Sequence, residues 1–238
     1  MQAMGSLIYL ANATRPDISY SVNLLARKMQ NPSIQDWQDT KRIFRYLQGT
    51  KEMKLVYQKK KSELHGFSDA SYAEDKEDRK SKSGHVFMMN GGAVSWKSAK
   101  QPIVSLSRME AEYIALTSAT KEGIWLKKFE EEIQMPKKTL TIFEDNQSTI
   151  KTATHKIHND RSKHIDVRYH FIRECVEEEK IKIEYCPTSE MTADILTKSL
   201  GRILHERHTK NMGLILHTSS LRGDVELSSN NAVSKLNV

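Results

Sequence analysis

Four carboxylates stand at positions that ordinarily favour apolar side chains: Asp69, Glu112, Asp145 and Asp194. Asp69 lies in a strand-like run, Asp145 ends another, Glu112 comes early in a long helical stretch, and Asp194 lies in a short helical run. Acidic residues are unfavourable at strand and core-facing positions unless they are paired or bind a cation. Magnesium prefers oxygen ligands, and two such ions can activate a water and stabilise the leaving oxygen of a phosphodiester. The pattern therefore indicates a carboxylate metal centre.

Each of these carboxylates also has an ordinary explanation. A single aspartate is usually solvated or caps a helix. Asp145 in particular is a suitable N-cap for the helical run NQSTIKTA that follows it. The spacing of the four residues in the sequence does not show that their side chains are close in space. The metal centre is therefore a hypothesis based on residue type and position.

The elements that must position these residues alternate between strands and helices. Strand-like runs cover residues 64–72, 84–90 and 93–98, and Asn90-Gly91-Gly92 predicts a hairpin between the last two. A helix is expected from about Ser107 to Ile133, with Ser107 and Glu110 forming a capping box. A strand, a short helix, a further helix, a strand and a final short helix over EMTADILTKSL follow. This order predicts an α/β domain with a mixed sheet.

The helix from Ser107 has two further features in its sequence. Ala111, Ala115 and Ala119 form a stripe of small residues, which would let the helix lie close against a sheet. Trp125, Leu126 and Phe129 are expected to contribute to the core rather than to a functional site.

Three parts of the chain are expected to differ in organisation. Residues 1–60 read as a helical segment, in which Pro16 suits a helix start and Ser33 a helix cap. Residues 61–200 carry the α/β pattern. Residues 201–238 form an extension that we expect to be partly disordered, because its end is polar and rich in serine and asparagine.

Composition narrows the class of partner. The 238 residues carry a formal net charge of +7, which favours a polyanion such as nucleic acid, although a merely basic protein has the same balance. No apolar run is long enough to span a membrane. The two cysteines, Cys175 and Cys186, fit neither a disulfide framework nor a zinc site, so free thiols in a reducing intracellular setting are expected.

Candidate nucleic-acid contacts are basic or aromatic side chains near strand and helix ends: Trp96, Lys97, Lys100, Asn146, Lys163 and His164. Aromatic faces and lysines suit contact with a sugar-phosphate backbone, and a helix start can bind a phosphate. The alternatives are a core Trp96 at an ordinary strand end and a solvated His164.

Long motifs of this sequence resemble the ribonuclease H region of copia-type retrotransposon polyproteins. They are SDASYAEDKEDRKSKSGHVFMMNGGAVSWKSAKQPIVSLSRMEAEYIAL, EDNQSTI, SKHIDVRYHFIRE and ADILTKSL, in the family order. The likeness extends over roughly residues 4–215, and residues 1–60 resemble the segment that joins the polymerase to the ribonuclease H domain. It implies a ribonuclease H-like fold, a five-stranded mixed sheet flanked by helices with an N-terminal helical segment.

The resemblance also implies an activity, cleavage of the RNA strand of RNA–DNA hybrids with two Mg²⁺ or Mn²⁺ ions. Asp69 would bridge both ions, Glu112 and Asp145 would hold one, and Asp194 the other. The pattern EAEYIAL selects Glu112 rather than Glu110. The implied partners are the hybrid and the reverse transcriptase domain of a parent polyprotein, in a cytoplasmic virus-like particle or the nucleus.

The sequence departs from the family at several points. Arg108 and Met109 replace the usual serine and threonine, and His85 replaces a tyrosine. The run before Asp194 lacks the histidine loop of many cellular ribonucleases H, which leaves open what assists product release. Two other classes remain as alternatives, a catalytically silent nucleic-acid-binding remnant and a domesticated interaction protein.

Overall fold

The computed structural model describes residues 2–59, 62–75, 77–136, 138–154 and 166–216. The chain begins with three helices, α1 (Gln2–Ala13), α2 (Ser19–Ala26) and α3 (Ile34–Gly49), with a 3-10 turn over Pro16–Ile18. They enclose a core of their own, formed by Met4, Leu7, Ala11, Ile18, Val22, Leu25 and Ile43. Ser33 caps α3 as expected, since its hydroxyl accepts from the Asp36 amide at 3.1 Å and Asp36 returns a bond to the Ser33 amide.

A five-stranded mixed sheet follows. Its strands are β2 (His65–Ser71), β3 (Lys82–Met89), β4 (Gly92–Lys100), β5 (Leu140–Glu144) and β6 (Ile181–Tyr185), in the order β4-β3-β2-β5-β6. β2, β3 and β4 are antiparallel neighbours, whereas β5 is parallel to both β2 and β6. The helices α4 (Arg108–Glu132), α5 (Gln147–Thr154) and α6 (Asp166–Glu177) connect and cover the strands. The predicted fold class, a five-stranded mixed sheet with helices and an N-terminal helical segment, is confirmed.

The hairpin between β3 and β4 turns where the sequence predicted it. Asn90 and Gly91 both have positive φ, 53° and 77°, as a two-residue hairpin turn of the primed kind requires.

The capping box predicted for α4 is only half present. Ser107 caps the helix by accepting from the Glu110 amide at 3.1 Å. The Glu110 carboxylate accepts instead from the amide of Leu106, one residue before the cap, at 2.8 Å.

Small residues let α4 lie close to the sheet. Ala111, Ala115 and Ala119 are all buried, as the stripe predicted. A Cβ atom at Gly123 would lie 2.3 Å from Leu140 Cδ2 on β5. Leu126 is buried, as expected, but the same expectation is wrong for Trp125 and Phe129. Both are exposed, and their rings stack on each other with centroids 6.1 Å apart.

The end of the described chain differs from expectation in two ways. The run 190–200, predicted as one final short helix, contains only the 3-10 turn Thr192–Leu196, and a second 3-10 turn, Thr188–Glu190, ends where the run begins. After them come a separate helix, α7 (Arg202–Asn211), and a strand, β7 (Leu214–Leu216), which pairs antiparallel with β1 (Met53–Leu55). The boundaries at residues 60 and 200 stay predictions, and the predicted disorder falls largely on residues 217–238, outside the described part.

The N-terminal helices pack against the mixed-sheet part of the chain. Trp96 Nε1 on β4 donates to the Ala11 carbonyl at 2.7 Å, and Arg27 forms an ion pair with Asp75 at 2.8 Å. His205 on α7 contacts the Asp17 carbonyl at 3.2 Å. Within the described residues, no helix combines the length and the apolar character that a membrane crossing requires.

Close packing of α4 on the sheet is testable at Gly123. Gly123→Ala should lower the free energy of unfolding by about 1–3 kcal/mol, because the added methyl group collides with Leu140 in a filled core. Gly5→Ala is the matched control: it lies in α1 with no atom near the added Cβ, so it should gain roughly 0.5–1 kcal/mol. Urea unfolding measures both, and equal stability of the two variants would contradict the close approach.

Candidate metal centre

Three elements bring three of the predicted carboxylates together. Asp69 lies on β2, Glu112 in the first turns of α4, and Asp145 directly after β5. One carboxylate oxygen from each of them lies within 4.8 Å of the other two. Asp69 and Glu112 are buried, while Asp145 is half-buried. Three oxygen donors at this separation suit a hard divalent cation.

The carboxylate of Asp145 is available to this group because the next residue, Asn146, caps the following helix. Asn146 Oδ1 accepts from the Thr149 amide at 3.0 Å at the start of α5. The alternative explanation of Asp145 as the N-cap is therefore wrong. Its carboxylate instead accepts a hydrogen bond from Thr188 Oγ1 at 2.7 Å, which ties it to the turn after β6.

Asp194 reaches the site on the 3-10 turn Thr192–Leu196, which packs directly on β3. Gly84 on β3 is the register partner of Asp69, and a Cβ atom there would lie 2.7 Å from Thr197 Cγ2 and 2.8 Å from Leu196 Cβ. The absence of a side chain at Gly84 lets this turn approach the strand that carries Asp69. Thr197 Oγ1 donates a short hydrogen bond to Asp69 Oδ2.

A lysine also lies among these carboxylates. Lys198 Nζ lies 2.9 Å from Asp194 Oδ1 and 3.8 Å from Asp69 Oδ1. The sequence motif ADILTK contains this lysine, but nothing in our reading of the sequence singled it out.

A fifth carboxylate, Glu144, was also missed. It is fully buried at the end of β5, where Oε1 accepts from the Asn146 amide at 3.2 Å. The signal that would have found it is the alternation of β5, in which Leu140, Ile142 and Glu144 all face inward. An acidic residue at an inward-facing position of a buried strand is costly unless it forms hydrogen bonds, an ion pair or a bond to a metal ion.

Burial and mutual repulsion oppose ionisation of this cluster. Burial raises the pKa of Glu112 and Glu144 well above the usual range, and for Glu112 the charge of Glu144 is the next cause. The pKa of Asp69 is also raised by burial, against the opposing effects of Lys198 and Thr197. Burial, followed by the charge of Asp69, raises the pKa of Asp194 to about 7.

The residues present fit a divalent cation. Among the described residues, Oε2 of Glu112 and Oε2 of Glu144 are buried without a hydrogen-bond partner. Buried carboxylate oxygens without donors are costly unless a cation offsets them. The donor set is entirely oxygen, as Mg²⁺ and Mn²⁺ prefer.

The residues predicted to contact nucleic acid differ in their exposure and in their partners. Trp96 is half-buried against α1, and Lys100 bridges Asp75 and Asp78 at 2.7 Å each. Lys97 is exposed on β4, and Asn146 serves as the helix cap described above. Lys163 and His164 lie outside the described residues. For all six, contact with nucleic acid stays a prediction.

Comparison with known proteins finds relatives among retrotransposon polyproteins, whereas no protein-family model matches the chain. It is 44% identical over 200 residues to the Retrovirus-related Pol polyprotein from transposon TNT 1-94 of Nicotiana tabacum, and the match covers 84% of this chain. It is 35% identical over 215 residues to that from transposon RE2 of Arabidopsis thaliana, covering 89% of this chain. The chain spans about 15% of the length of these two relatives.

Two further similarities are of different kinds. The chain is 44% identical over 127 residues to Secreted RxLR effector protein 161 of Plasmopara viticola, a match covering 53% of this chain and 89% of that protein. In fold, 57% of the chain is similar to 94% of LC11-RNase H1, whose structure was solved in complex with RNA/DNA hybrid, with a TM-score of 0.43 and 16% identity.

The raised pKa of Asp194 predicts a pH dependence of the ion-free protein. The pKa is about 7 in the folded state against a usual value of 3.8, so the stability that this carboxyl contributes is full below about pH 4 and is lost as the pH rises through 7. In EDTA, Asp194→Asn should therefore unfold at a higher temperature than the wild type at pH 8, by an amount equivalent to about 1–2 kcal/mol.

The comparison of the two proteins isolates the effect of Asp194. Buried His85 and His208 have pKa values lowered to about 4, so they reduce stability as the pH falls below 6.5 and act in the opposite direction. They contribute equally to both proteins. The advantage of Asp194→Asn should shrink between pH 8 and pH 5 in thermal melts, and an advantage that is constant or reversed would contradict the assignment.

Proposed function

The chain belongs to the copia-type retrotransposon Pol polyproteins as a homologue of one segment of them, and from this premise we propose that it is a ribonuclease H. In this proposal it hydrolyses the RNA strand of RNA–DNA hybrids during reverse transcription, alongside the reverse transcriptase domain of a parent polyprotein. The observation that carries the proposal is the convergence of Asp69, Glu112 and Asp145 within 4.8 Å.

The proposed cofactors are two Mg²⁺ or Mn²⁺ ions. Asp69, Glu112 and Asp145 would hold one, and Asp69 with Asp194 the other. When bound, such ions supply a nucleophilic water and stabilise the charge of the leaving oxygen of a phosphodiester. The attacking group is then a water, and no protein side chain forms a covalent bond to the RNA.

The other residues of the site orient the carboxylates in this proposal. Thr188 holds Asp145 and Thr197 holds Asp69 through hydroxyl hydrogen bonds, each to one oxygen of the carboxylate. Such outer hydrogen bonds fix the orientation of metal ligands and are commonly needed for affinity.

Recognition of the hybrid is proposed to rest on charge and shape. The net charge of +7 suits a polyanion, and phosphate contacts would supply most of the affinity. The 2′-hydroxyls of one strand distinguish RNA from DNA. Candidate contacts are Trp96, Lys97, Lys100, Asn146, Lys163 and His164, and the proposed place of action is a cytoplasmic virus-like particle or the nucleus.

A second candidate is a role in protein interaction. It is favoured by the match to a protein named as a secreted effector, most of whose length aligns with part of this chain. In that case the carboxylate cluster would be a remnant, and the chain would bind neither hybrid nor divalent cations with functional affinity.

Cleavage of a labelled RNA–DNA hybrid tests the proposed activity. With Mg²⁺ or Mn²⁺ the RNA strand should be cut, while single-stranded RNA and double-stranded DNA should not. EDTA should abolish the reaction, and Asp69→Asn should do so while the protein stays folded, because it loses the carboxylate shared by both proposed ion sites. Hybrid binding without cleavage would make the chain a silent binding module, and the absence of both would favour the interaction role.

Two neighbouring buried glutamates provide a matched pair for the site assignment. Glu112→Gln should lower the cleavage rate by about 100-fold or more, because the residue belongs to the oxygen cluster. Glu110→Gln should change the rate by only a few-fold, since the glutamine oxygen can still accept from the Leu106 amide. Single-turnover kinetics with saturating Mg²⁺ measures both, and equal losses would mean that the wrong glutamate has been chosen.

A further inference from the structure

The carboxylates of the candidate metal centre divide into two unlike groups. Asp69, Glu112 and Asp145 each place one carboxylate oxygen within 4.8 Å of the other two. Asp69 and Asp194, in contrast, are already bridged by the ammonium group of Lys198, at 3.8 Å and 2.9 Å. The two acidic side chains of this pair are 2% and 7% exposed, so the lysine is a counter-charge to buried carboxylates.

Local backbone structure places Lys198 at this position. Its amide donates to the Asp194 carbonyl at 3.1 Å, one turn back along the chain. The amide of Thr197 donates to the same carbonyl at 3.1 Å, and its side chain holds Asp69. The segment from Asp194 to Lys198 thus carries an acid, a hydroxyl that orients the opposing acid, and a cation between the two.

We infer that Lys198 is a built-in counter-cation at the second ion position, and that a divalent ion binds between Asp69 and Asp194 only by displacing its ammonium group. The inference rests on the proposed function in taking this pair as an ion site. Its consequence is an order of binding: the Asp69, Glu112 and Asp145 group takes the first ion, and the second binds more weakly because it must compete with an attached cation.

The structure offers the lysine a place to go. Its side chain is 35% exposed, and it lines a groove of about 740 Å³ between the N-terminal helices and α7. Asp39 and Glu206 also line this groove, and Glu206 is paired with Arg202 at 2.7 Å. A lysine has a flexible four-carbon stem and a compact charge, so its ammonium group can move into the groove without any change in the backbone.

Titration of the ion-free full-length chain with Mn²⁺, by calorimetry and electron paramagnetic resonance and without nucleic acid, tests the inference. In Lys198→Met the second Mn²⁺ should bind at least about tenfold more tightly than in the wild type, while affinity for the first changes by less than about threefold. Lys128→Met removes an exposed lysine elsewhere on α4 and is the matched control, for which both affinities should stay as in the wild type. An equal gain in affinity for both ions would mean that Lys198 acts only as a general positive charge near the site, and this would overturn the inference. The inference would also be overturned if neither affinity increased.

Thermal melting provides a second readout that does not depend on resolving the two ions. In EDTA, Lys198→Met should melt below the wild type because two buried carboxylates lose their counter-cation. Saturating Mn²⁺ should raise its melting temperature more than that of the wild type, since tighter binding to the folded state gives the larger stabilisation. Lys198→Arg keeps the charge and should resemble the wild type in both respects, so a gain in second-ion affinity for the arginine variant would also contradict displacement.

Failure of this inference is distinguishable from failure of the proposed function. If the wild type cleaves hybrid and binds two Mn²⁺ ions, and Lys198→Met does not change the affinity for the second ion, only the inference is contradicted. A wild type that binds no Mn²⁺ at the carboxylates sinks both.

Discussion

Repulsion among buried carboxylates is the constraint on which the rest of the site depends. Asp69 on β2, Glu112 on α4 and Glu144 on β5 are all buried, and burial opposes the ionisation of all three. The chain offsets this cost with donors aimed at particular oxygens: hydroxyl groups at Asp69 and Asp145, a backbone amide at Glu144, and an ammonium group at the Asp69–Asp194 pair. The oxygens left without donors are those that a cation would satisfy, so the energetic cost of the ion-free cluster would favour binding of the proposed ions.

Such a cluster requires backbones that approach closely, and small residues allow this at two places. Gly84 lets the turn that carries Asp194 lie against β3, and Gly123 with the buried alanines lets α4 lie against the sheet. A side chain at either glycine would separate elements whose carboxylates must converge. The packing of helices and turns on the sheet therefore fixes the positions of the carboxylates. The contacts that do so contain no acidic residue.

The N-terminal helices contribute to the same framework. The turn Thr192–Leu196 lies between the sheet on one side and α2, α7 and the turn Pro16–Ile18 on the other. A buried ion pair between Arg15 and Asp17, at 2.7 Å, and a hydrogen bond from Tyr46 to Asp17 stabilise that N-terminal turn. The pairing of β1 with β7 joins the segment after α3 to the last described residues of the chain. The residues preceding the mixed sheet therefore support the position of the fourth carboxylate.

The sequence by itself determined whatever depends on neighbours along the chain: the cap at Ser33, the hairpin at Asn90-Gly91, the long helix with its alanine stripe, and the order of strands and helices. Its motifs also selected the four carboxylates. Only the tertiary structure decided which residues meet across distant segments. In the structure Asn146 rather than Asp145 caps α5, and Glu144 and Lys198 lie among the acidic residues. Trp96 forms a hydrogen bond to α1, whereas Trp125 and Phe129 are exposed. The physical reason is that caps, turns and periodicity are set within a few residues, whereas burial and charge pairing depend on contacts such as that between Asp69 and Thr197, 128 residues apart.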